Sequence, residues 1–178
     1  DTTPPGFEGE LRSYQAEALA WIGFLDSAEL GGCLALDMGL GKTPTMLAHL
    51  GRCAGNGTAL VVAPPAVVGN WAAEAAKFTP GLSVLVHHGA SRMSGPALRR
   101  AIDRADVVIT TYGTAVRDVE QLADLEWARV VLDEAHAVKN SNSQNAKAVR
   151  LLTARHRLAL SGTPVENHFG ELWSLFEF

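Results

Sequence analysis

A glycine-rich segment that ends in Lys42 and Thr43 has the residue types that bind a nucleotide phosphate. The segment runs from 37 to 43, with a short apolar stretch before it and a stretch of helical character after it. Gly39 and Gly41 can adopt backbone angles that turn several N–H groups toward one phosphate. The N-terminus of the following helix adds a partial positive charge. The order of strand, glycine turn, Lys-Thr and helix therefore predicts a phosphate-binding loop.

Each residue of this loop has its own expected role. Lys42 places a cation at the β- and γ-phosphates, and the Thr43 hydroxyl is the expected ligand of Mg²⁺. The backbone of Gly39, Leu40 and Gly41 is expected to line the phosphates. An ordinary strand–turn–helix connection with a surface lysine is the alternative interpretation of the same residues.

Two further apolar segments end in residues that could do chemistry. Asp133 and Glu134 follow one of them, and Ser161, Gly162 and Thr163 follow the other. Because ligands of open parallel sheets bind at the carboxyl ends of the strands, we expect these residues to lie near the phosphate loop. Two adjacent carboxylates after a buried strand are costly unless a cation is close, and a magnesium-nucleotide would supply one.

The sequence Asp133-Glu134-Ala135-His136 is interpreted as the hydrolytic part of the site. Asp133 is expected to hold the metal through water, and Glu134 to orient and deprotonate the attacking water. His136 is expected to couple this pair to Ser161, Gly162 and Thr163 by hydrogen bonding and so to transmit the nucleotide state. A solvated acidic turn and an ordinary turn histidine are the alternatives. His136 has no Cys or His partner at metal-ligand spacing, so it is not predicted to bind zinc.

Alternating helices and strands are predicted to position these residues. Strands are expected at 33–36, 59–63, 83–87, 106–110, 129–132 and 157–160, and helices at 11–27, 45–50, 69–78, 97–103, 114–119, 146–152 and 171–178. The strand at 59–63 is a continuous apolar run, which is typical of burial on both faces. The fold class is therefore α/β, with one domain in which helices cover both faces of a central, mostly parallel sheet.

Composition narrows the class of protein further. The 178 residues suffice for one domain, and no apolar run is long enough to cross a membrane. The first residue is Asp1, so the chain is expected to be part of a longer protein. Cys33 and Cys53 are interpreted as reduced thiols of an intracellular, cytoplasmic or nuclear, protein. A net charge of −4 is not typical of a nucleic-acid binder.

The motifs resemble those of the first RecA-like lobe of the SWI/SNF family of DNA-translocating ATPases, within the superfamily two helicases. The segments that carry the resemblance are 11–15, 37–43, 60–65 with 70–71, 108–112, 131–136 with 139–140, and 158–167 with 171–175. The stretch from Ser161 to Asn167 is the most diagnostic, because RNA helicases of the same superfamily usually carry a shorter Ser-Ala-Thr there. Three residues depart from the family pattern. Leu36 stands where the family usually has an acidic residue, and Thr45 stands where it frequently has Gln. Pro65 stands where the family often has a hydroxyl residue that touches a DNA phosphate.

The resemblance implies ATP hydrolysis, with ATP and Mg²⁺ as cofactors, coupled to tracking along double-stranded DNA. It makes residues 1–178 the first of two lobes, in which Gln15 contacts the adenine. A second lobe, absent from this chain, would supply an arginine finger, so the isolated lobe is expected to turn ATP over poorly. The DNA contacts that the resemblance implies are Asn70, Trp71, Thr110, Thr111 and Lys139. For Trp71, a packing aromatic is the alternative.

Two other functions stay open on the sequence alone. One is an RNA helicase, against which the long Ser161 to Asn167 stretch argues. The other is a nucleotide-binding switch or scaffold lobe that does not hydrolyse ATP, against which the intact Asp133-Glu134 pair argues.

Overall fold

The computed structural model describes residues 4–27, 32–35, 41–135 and 143–161, which form alternating helices and strands. In chain order the elements are α1 (Ser13–Ser27), β1 (Gly32–Ala35), α2 (Lys42–Arg52), β2 (Ala59–Ala63), α3 (Pro65–Phe78), β3 (Val84–His87), α4 (Gly95–Asp103), β4 (Val107–Thr111), α5 (Tyr112–Arg117), α6 (Val119–Ala123), β5 (Glu126–Leu132), α7 (Gln144–Leu151) and β6 (Thr153–Ser161). Within these ranges no helix combines the length and the apolar character that a membrane span requires.

The strands form a single sheet in the order β1-β6-β5-β2-β4-β3. Each neighbouring pair in this order runs parallel. A parallel sheet needs both faces covered, because its crossover helices pack on them. The predicted mostly parallel α/β sheet is therefore confirmed.

Alternate residues of β2 belong to two separate core clusters. Leu60 and Val62 pack with side chains from α4, α5, α6 and α7. Ala59, Val61 and Ala63 pack with side chains from α1, α2 and α3. Because successive side chains of a strand point to opposite faces, the two clusters are the two faces of the sheet. The predicted helices on both faces are confirmed, with α1 to α3 on one side and α4 to α7 on the other.

Most elements lie within three residues of their predicted bounds, α6 was not predicted as a separate helix, and α3 and β6 differ most from the prediction. Helix α3 begins at Pro65 rather than at residue 69, because Pro64 is extended and a proline in the first helical turn loses no hydrogen bond. Strand β6 begins at Thr153 rather than at residue 157, and its early part pairs with β5, with Thr153 opposite Glu126. The polar residues at 153–157 concealed this pairing. The helix predicted at 171–178 lies outside the described residues.

A partly buried cluster of His87, Arg92 and Asp118 ties the end of β3 to the junction between α5 and α6. His87 Nε2 lies 2.7 Å from Oδ2 of Asp118. Arg92 donates to both carboxylate oxygens of Asp118, at 2.7 and 2.9 Å. The hydrogen bond from Arg92 is the main reason that the pKa of Asp118 lies below its ordinary value, and the one from His87 lowers it further against the opposing effect of burial.

We expect Asp118→Asn to lower the free energy of unfolding at neutral pH by about 2 kcal/mol, the typical value of a hydrogen bond to a charged group. The lowered pKa means that this contribution is present above the unfolded-state pKa and lost as the pH falls through the folded-state pKa. The variant should therefore also lose less stability than the unsubstituted chain on acidification. Urea unfolding of this chain at neutral and acidic pH measures both effects.

Asp124→Asn is the matched control, because Asp124 faces Arg99 at 3.9 Å and both side chains are largely exposed. Its effect should stay below about 0.5 kcal/mol. Equal effects of the two substitutions would contradict the stabilising role of the Asp118 cluster.

Candidate active site

The candidate site lies at the carboxyl edge of the sheet, where β1, β6 and β5 are neighbours. Ala35 pairs with Ser161, and Leu132 pairs with Ala159, so these strands end at nearly the same level. This register brings the start of α2, the end of β6 and the residues after β5 to one edge. Ligands of open parallel sheets bind at such an edge.

Gly41 occupies a position that favours glycine. It precedes α2 with a φ of 71°, in the left-handed region. A Cβ at this position would collide with Nε2 of Gln15 unless that side chain moved. The same Nε2 donates to the carbonyl of Gly41 at 3.2 Å, while Oε1 of Gln15 accepts from the backbone N–H of Arg12 at 2.8 Å. Gln15 is thereby fixed beside the last glycine of the predicted loop, and its contact with adenine stays a prediction.

Lys42 binds both carboxylates of the predicted hydrolytic pair. Its Nζ lies 2.7 Å from Oδ1 of Asp133 and also contacts Oε1 of Glu134. Burial lowers the pKa of Lys42, but hydrogen bonds to the two carboxylates and their negative charges outweigh that effect. The pKa of Lys42 therefore lies above its ordinary value, and the side chain is a cation at neutral pH.

Asp133 is held at every polar atom of its backbone and side chain. Its N–H donates to the carbonyl of Val62 at 2.8 Å, and its own carbonyl accepts from the Tyr112 hydroxyl at 2.7 Å. Oδ1 also accepts from the N–H of Glu134 at 2.9 Å. Oδ2 accepts from the indole N–H of Trp71 at 2.8 Å. With 1% of its surface exposed, Asp133 is a buried carboxylate with a fixed orientation.

Two neighbours of Asp133 have unusual properties: Glu134 in its backbone conformation and Tyr112 in its pKa. Glu134 has a φ of 51°, and it is the one non-glycine residue with a positive φ in the part of the chain that the structure describes. Such backbone conformations cost free energy and cluster at functional sites. Burial, followed by the charges of Asp133 and Glu134, raises the pKa of Tyr112 well above its ordinary value, so the phenol stays a hydrogen-bond donor.

Lys42, Asp133 and Glu134 border an open cleft of about 160 Å³. Its lining consists of Gly41, Lys42, Thr43, Pro44, Val67, Asn70, Glu74, Asp133 and Glu134. Thr43 is among these residues, as expected of a magnesium ligand. Glu74 also lines the cleft, and its Oε2 atom is buried without a hydrogen-bond partner among the described residues. Burial raises the pKa of Glu74, against the opposing charge of Lys77.

The donor set fits Mg²⁺ with a nucleotide phosphate. The Thr43 hydroxyl and the Asp133 carboxylate are the hard oxygen donors that Mg²⁺ prefers, and Lys42 is the cation that a phosphate requires. No three His, Cys, Asp or Glu side chains come together as a metal-binding group in the described ranges. Mg²⁺ does not require such a group, since it usually keeps several waters.

The burial of three predicted DNA contacts argues against a role for their side chains in binding DNA. The side chains of Trp71 and Thr110 are fully buried, and Thr111 is 1% exposed. The Thr110 hydroxyl donates to the carbonyl of His87, and the Thr111 hydroxyl caps α5 by accepting from the N–H of Thr114. These three side chains have no surface to offer a nucleic acid. Asn70 is exposed, as a DNA contact requires, and it borders the cleft.

Several predicted site residues lie outside the described residues. They are Gly39, Leu40, His136, Lys139, Gly162 and Thr163. Ser161 is the last residue of β6, at the edge where the site lies. The roles of all seven stay predictions.

Tyr112 and the contact of Trp71 with Asp133 were not predicted from the sequence. Tyr112 directly follows β4, so its place at a strand end was a signal. Trp71 lies on the helix that follows β2, the strand that pairs with β5. Sequence alone does not reveal that pairing.

Comparison with known proteins gives consistent matches. A family model described as the SNF2-related domain matches residues 14–178. The protein YwqA of Bacillus subtilis is 43% identical over 178 residues, which covers 98% of this chain and 19% of that protein. The ISWI chromatin-remodeling complex ATPase ISW2 of Saccharomyces cerevisiae is 38% identical over 176 residues, which covers 96% of this chain and 16% of that protein. The chain thus spans a fifth or less of the length of these two relatives.

Two solved structures share the fold. The Sulfolobus solfataricus SWI2/SNF2 ATPase core in complex with dsDNA matches with a TM-score of 0.86 and 36% identity, covering 97% of this chain and 36% of that one. The SWI2/SNF2 ATPase core domain of the same organism matches with a TM-score of 0.81 and 36% identity, covering 97% of this chain and 35% of that one. The predicted RecA-like fold is confirmed by these matches.

Proposed function

The chain belongs to the SNF2-related domain family, and on that basis we propose that it is the ATP-binding first lobe of a motor that hydrolyses ATP while it translocates on double-stranded DNA. The observation that carries the nucleotide part is the contact of Lys42 with both Asp133 and Glu134 at the carboxyl edge of the sheet. The three side chains come from α2 and from the turn after β5, and the fold brings them together at one cleft.

Each member of this cluster has a defined task in ATP hydrolysis. Lys42 and the N–H groups at the start of α2 bind the β- and γ-phosphates. The Thr43 hydroxyl and Asp133 would hold Mg²⁺, which when bound would neutralise charge on these phosphates. Glu134 orients the attacking water and accepts its proton. Lys42 also neutralises the charge of the two carboxylates that it contacts, which stabilises their position beside the cleft.

The DNA part of the proposal is supported by the relatives. One of the matched structures is a SWI2/SNF2 ATPase core in complex with dsDNA, and it covers nearly the whole of this chain. The ISW2 relative is named as the ATPase of a chromatin-remodeling complex. The acidic charge balance of this chain is compatible with a DNA role, because backbone contacts are also made by neutral side chains and by helix N-termini. Among the predicted DNA contacts that the structure describes, Asn70 is the one with an exposed side chain.

Displacement of a third strand from a DNA triplex tests the proposal. A motor that tracks along a duplex removes the third strand in an ATP-dependent way without separating the duplex. We expect the full-length protein to displace the third strand with ATP and to leave it in place with ADP. Separation of the duplex strands, or displacement that does not need ATP, would contradict translocation on double-stranded DNA.

A further inference from the structure

Asp133 is contacted by two aromatic residues from opposite faces of the sheet. Trp71, on α3, belongs to the core cluster formed with α1 and α2. Tyr112, at the start of α5, belongs to the cluster formed with α4, α6 and α7. The indole N–H of Trp71 donates to the Asp133 carboxylate at 2.8 Å, and the Tyr112 hydroxyl donates to the Asp133 carbonyl at 2.7 Å.

The two contacts fix different parts of Asp133. Oδ1 is occupied by Lys42 and by the N–H of Glu134, so Oδ2 is the oxygen that Trp71 holds. Rotation of the carboxylate would break the indole bond, and a shift of the backbone would break the bond to Tyr112. An indole nitrogen is a donor only, so a fully buried indole needs an acceptor, and Asp133 supplies it.

The burial of both donors means that the two hydrogen bonds hold Asp133 in one orientation. Trp71 is fully buried and Tyr112 is 5% exposed, so neither ring can follow a carboxylate that turns away. A metal-binding carboxylate is oriented by such hydrogen-bonded neighbours, and the loss of one typically weakens metal binding.

We propose that Trp71 and Tyr112 are positioning residues that clamp Asp133 from the two faces of the sheet and so set its orientation toward Mg²⁺. The inference rests on the proposed function, because it assigns the Mg²⁺ of the ATP complex to Asp133. It gives Trp71 a task inside the nucleotide site in place of the DNA contact that its burial excludes. It also joins α3 and α5 to the same carboxylate.

The test uses Trp71→Phe in the full-length protein, which keeps an aromatic ring and removes the N–H. Binding of the non-hydrolysable analogue AMP-PNP is measured by calorimetry with Mg²⁺ and with EDTA. We expect the gain in affinity that Mg²⁺ gives to fall by about tenfold, the usual effect of losing a neighbour that orients a metal ligand. Affinity in EDTA should not change. The Mg²⁺ concentration for half-maximal ATPase rate should rise by a similar factor.

Trp127→Phe is the matched control. Trp127 is 1% exposed, and its indole N–H donates to the carbonyl of Leu122 at 2.9 Å. Trp127 lies near the start of β5, whereas Asp133 follows the end of that strand. The control also loses a buried indole hydrogen bond, although its acceptor is a neutral carbonyl, so it should destabilise the fold somewhat less than Trp71→Phe. Its Mg²⁺ dependence should equal that of the unsubstituted protein. Equal Mg²⁺ dependence of the two variants would overturn the inference.

Tyr112→Phe tests the other face and also serves if Trp71→Phe does not fold. It removes one hydroxyl, and we expect it to weaken the Mg²⁺-dependent gain in the same direction. An unchanged gain would overturn the role of Tyr112. An unsubstituted protein that does not bind AMP-PNP would contradict the proposed function itself, whereas normal binding with unaffected variants would contradict only the clamp.

Discussion

Glu134→Gln in the full-length protein should leave ATP binding intact and lower the rate of hydrolysis by at least about 100-fold, as expected when a general base is lost. Glutamine has the size and shape of glutamate, and its carbonyl can still accept a hydrogen bond from Lys42. It cannot take a proton from water. We expect the substitution to leave the fold intact, because the Glu134 side chain is 17% exposed at the cleft and lies beside Lys42.

The rate of ATP turnover and the dissociation constant of ATP, measured on the same preparation, separate chemistry from binding. Glu126→Gln is the control, because Glu126 is exposed at the opposite end of β5 and the substitution removes the same charge. Unchanged turnover in Glu134→Gln would remove Glu134 from the mechanism. Loss of ATP binding would show that its role is structural.

Lys42→Ala should weaken ATP binding or turnover by at least about tenfold, because a charge-assisted hydrogen bond is worth about 1.5–3 kcal/mol. A second effect should appear without nucleotide. Lys42 is the cation that faces Asp133, a carboxylate with 1% of its surface exposed, so its removal leaves a buried charge poorly compensated. The thermal unfolding temperature of the free protein should therefore fall as well.

Calorimetric titration with ATP and a thermal unfolding scan measure these two effects. Lys147→Ala is the matched control, since Lys147 is exposed on α7, away from the cleft. If Lys42→Ala bound and hydrolysed ATP like this control, the phosphate-loop assignment would be wrong.

The sequence predicted the elements best where one physical signal dominated. Strand β2 has the predicted bounds, because a continuous apolar run at 59–63 is closed by Pro64. Helix α4 was predicted from Ala97, and it begins at Gly95 with Pro96 in its first turn. Strand β6 was predicted too short, because its early residues are polar and are ordered by pairing with β5, which is a tertiary effect.

The sequence also predicted which residues meet at the site, but not what supports them. Residues at strand ends in a parallel sheet share one edge, so the contact of Lys42 with Asp133 follows from local patterns and one topological rule. The bond between Trp71 and Asp133 joins residues 62 positions apart. It exists because β2 pairs with β5, and the local pattern does not fix the order of strands.

The burial of Thr110 and Thr111 has a similar cause. Their hydroxyls are used inside the protein, one on the carbonyl of His87 and one at the N-terminus of α5. The family resemblance implied that both threonines contact DNA, whereas the structure places them at the buried end of β4. The sheet order puts β4 between β2 and β3, and this position decides their exposure.

The ATPase rate of the full-length protein, measured without nucleic acid and with duplex DNA, single-stranded DNA or RNA, tests the central claim most directly. A DNA-translocating motor predicts a rate that rises several-fold with duplex DNA. A rate that responds to RNA instead would contradict the claim and favour an RNA helicase. A flat rate near zero, with ATP still bound, would contradict it as well and favour a switch or scaffold lobe in which Glu134 is not a general base.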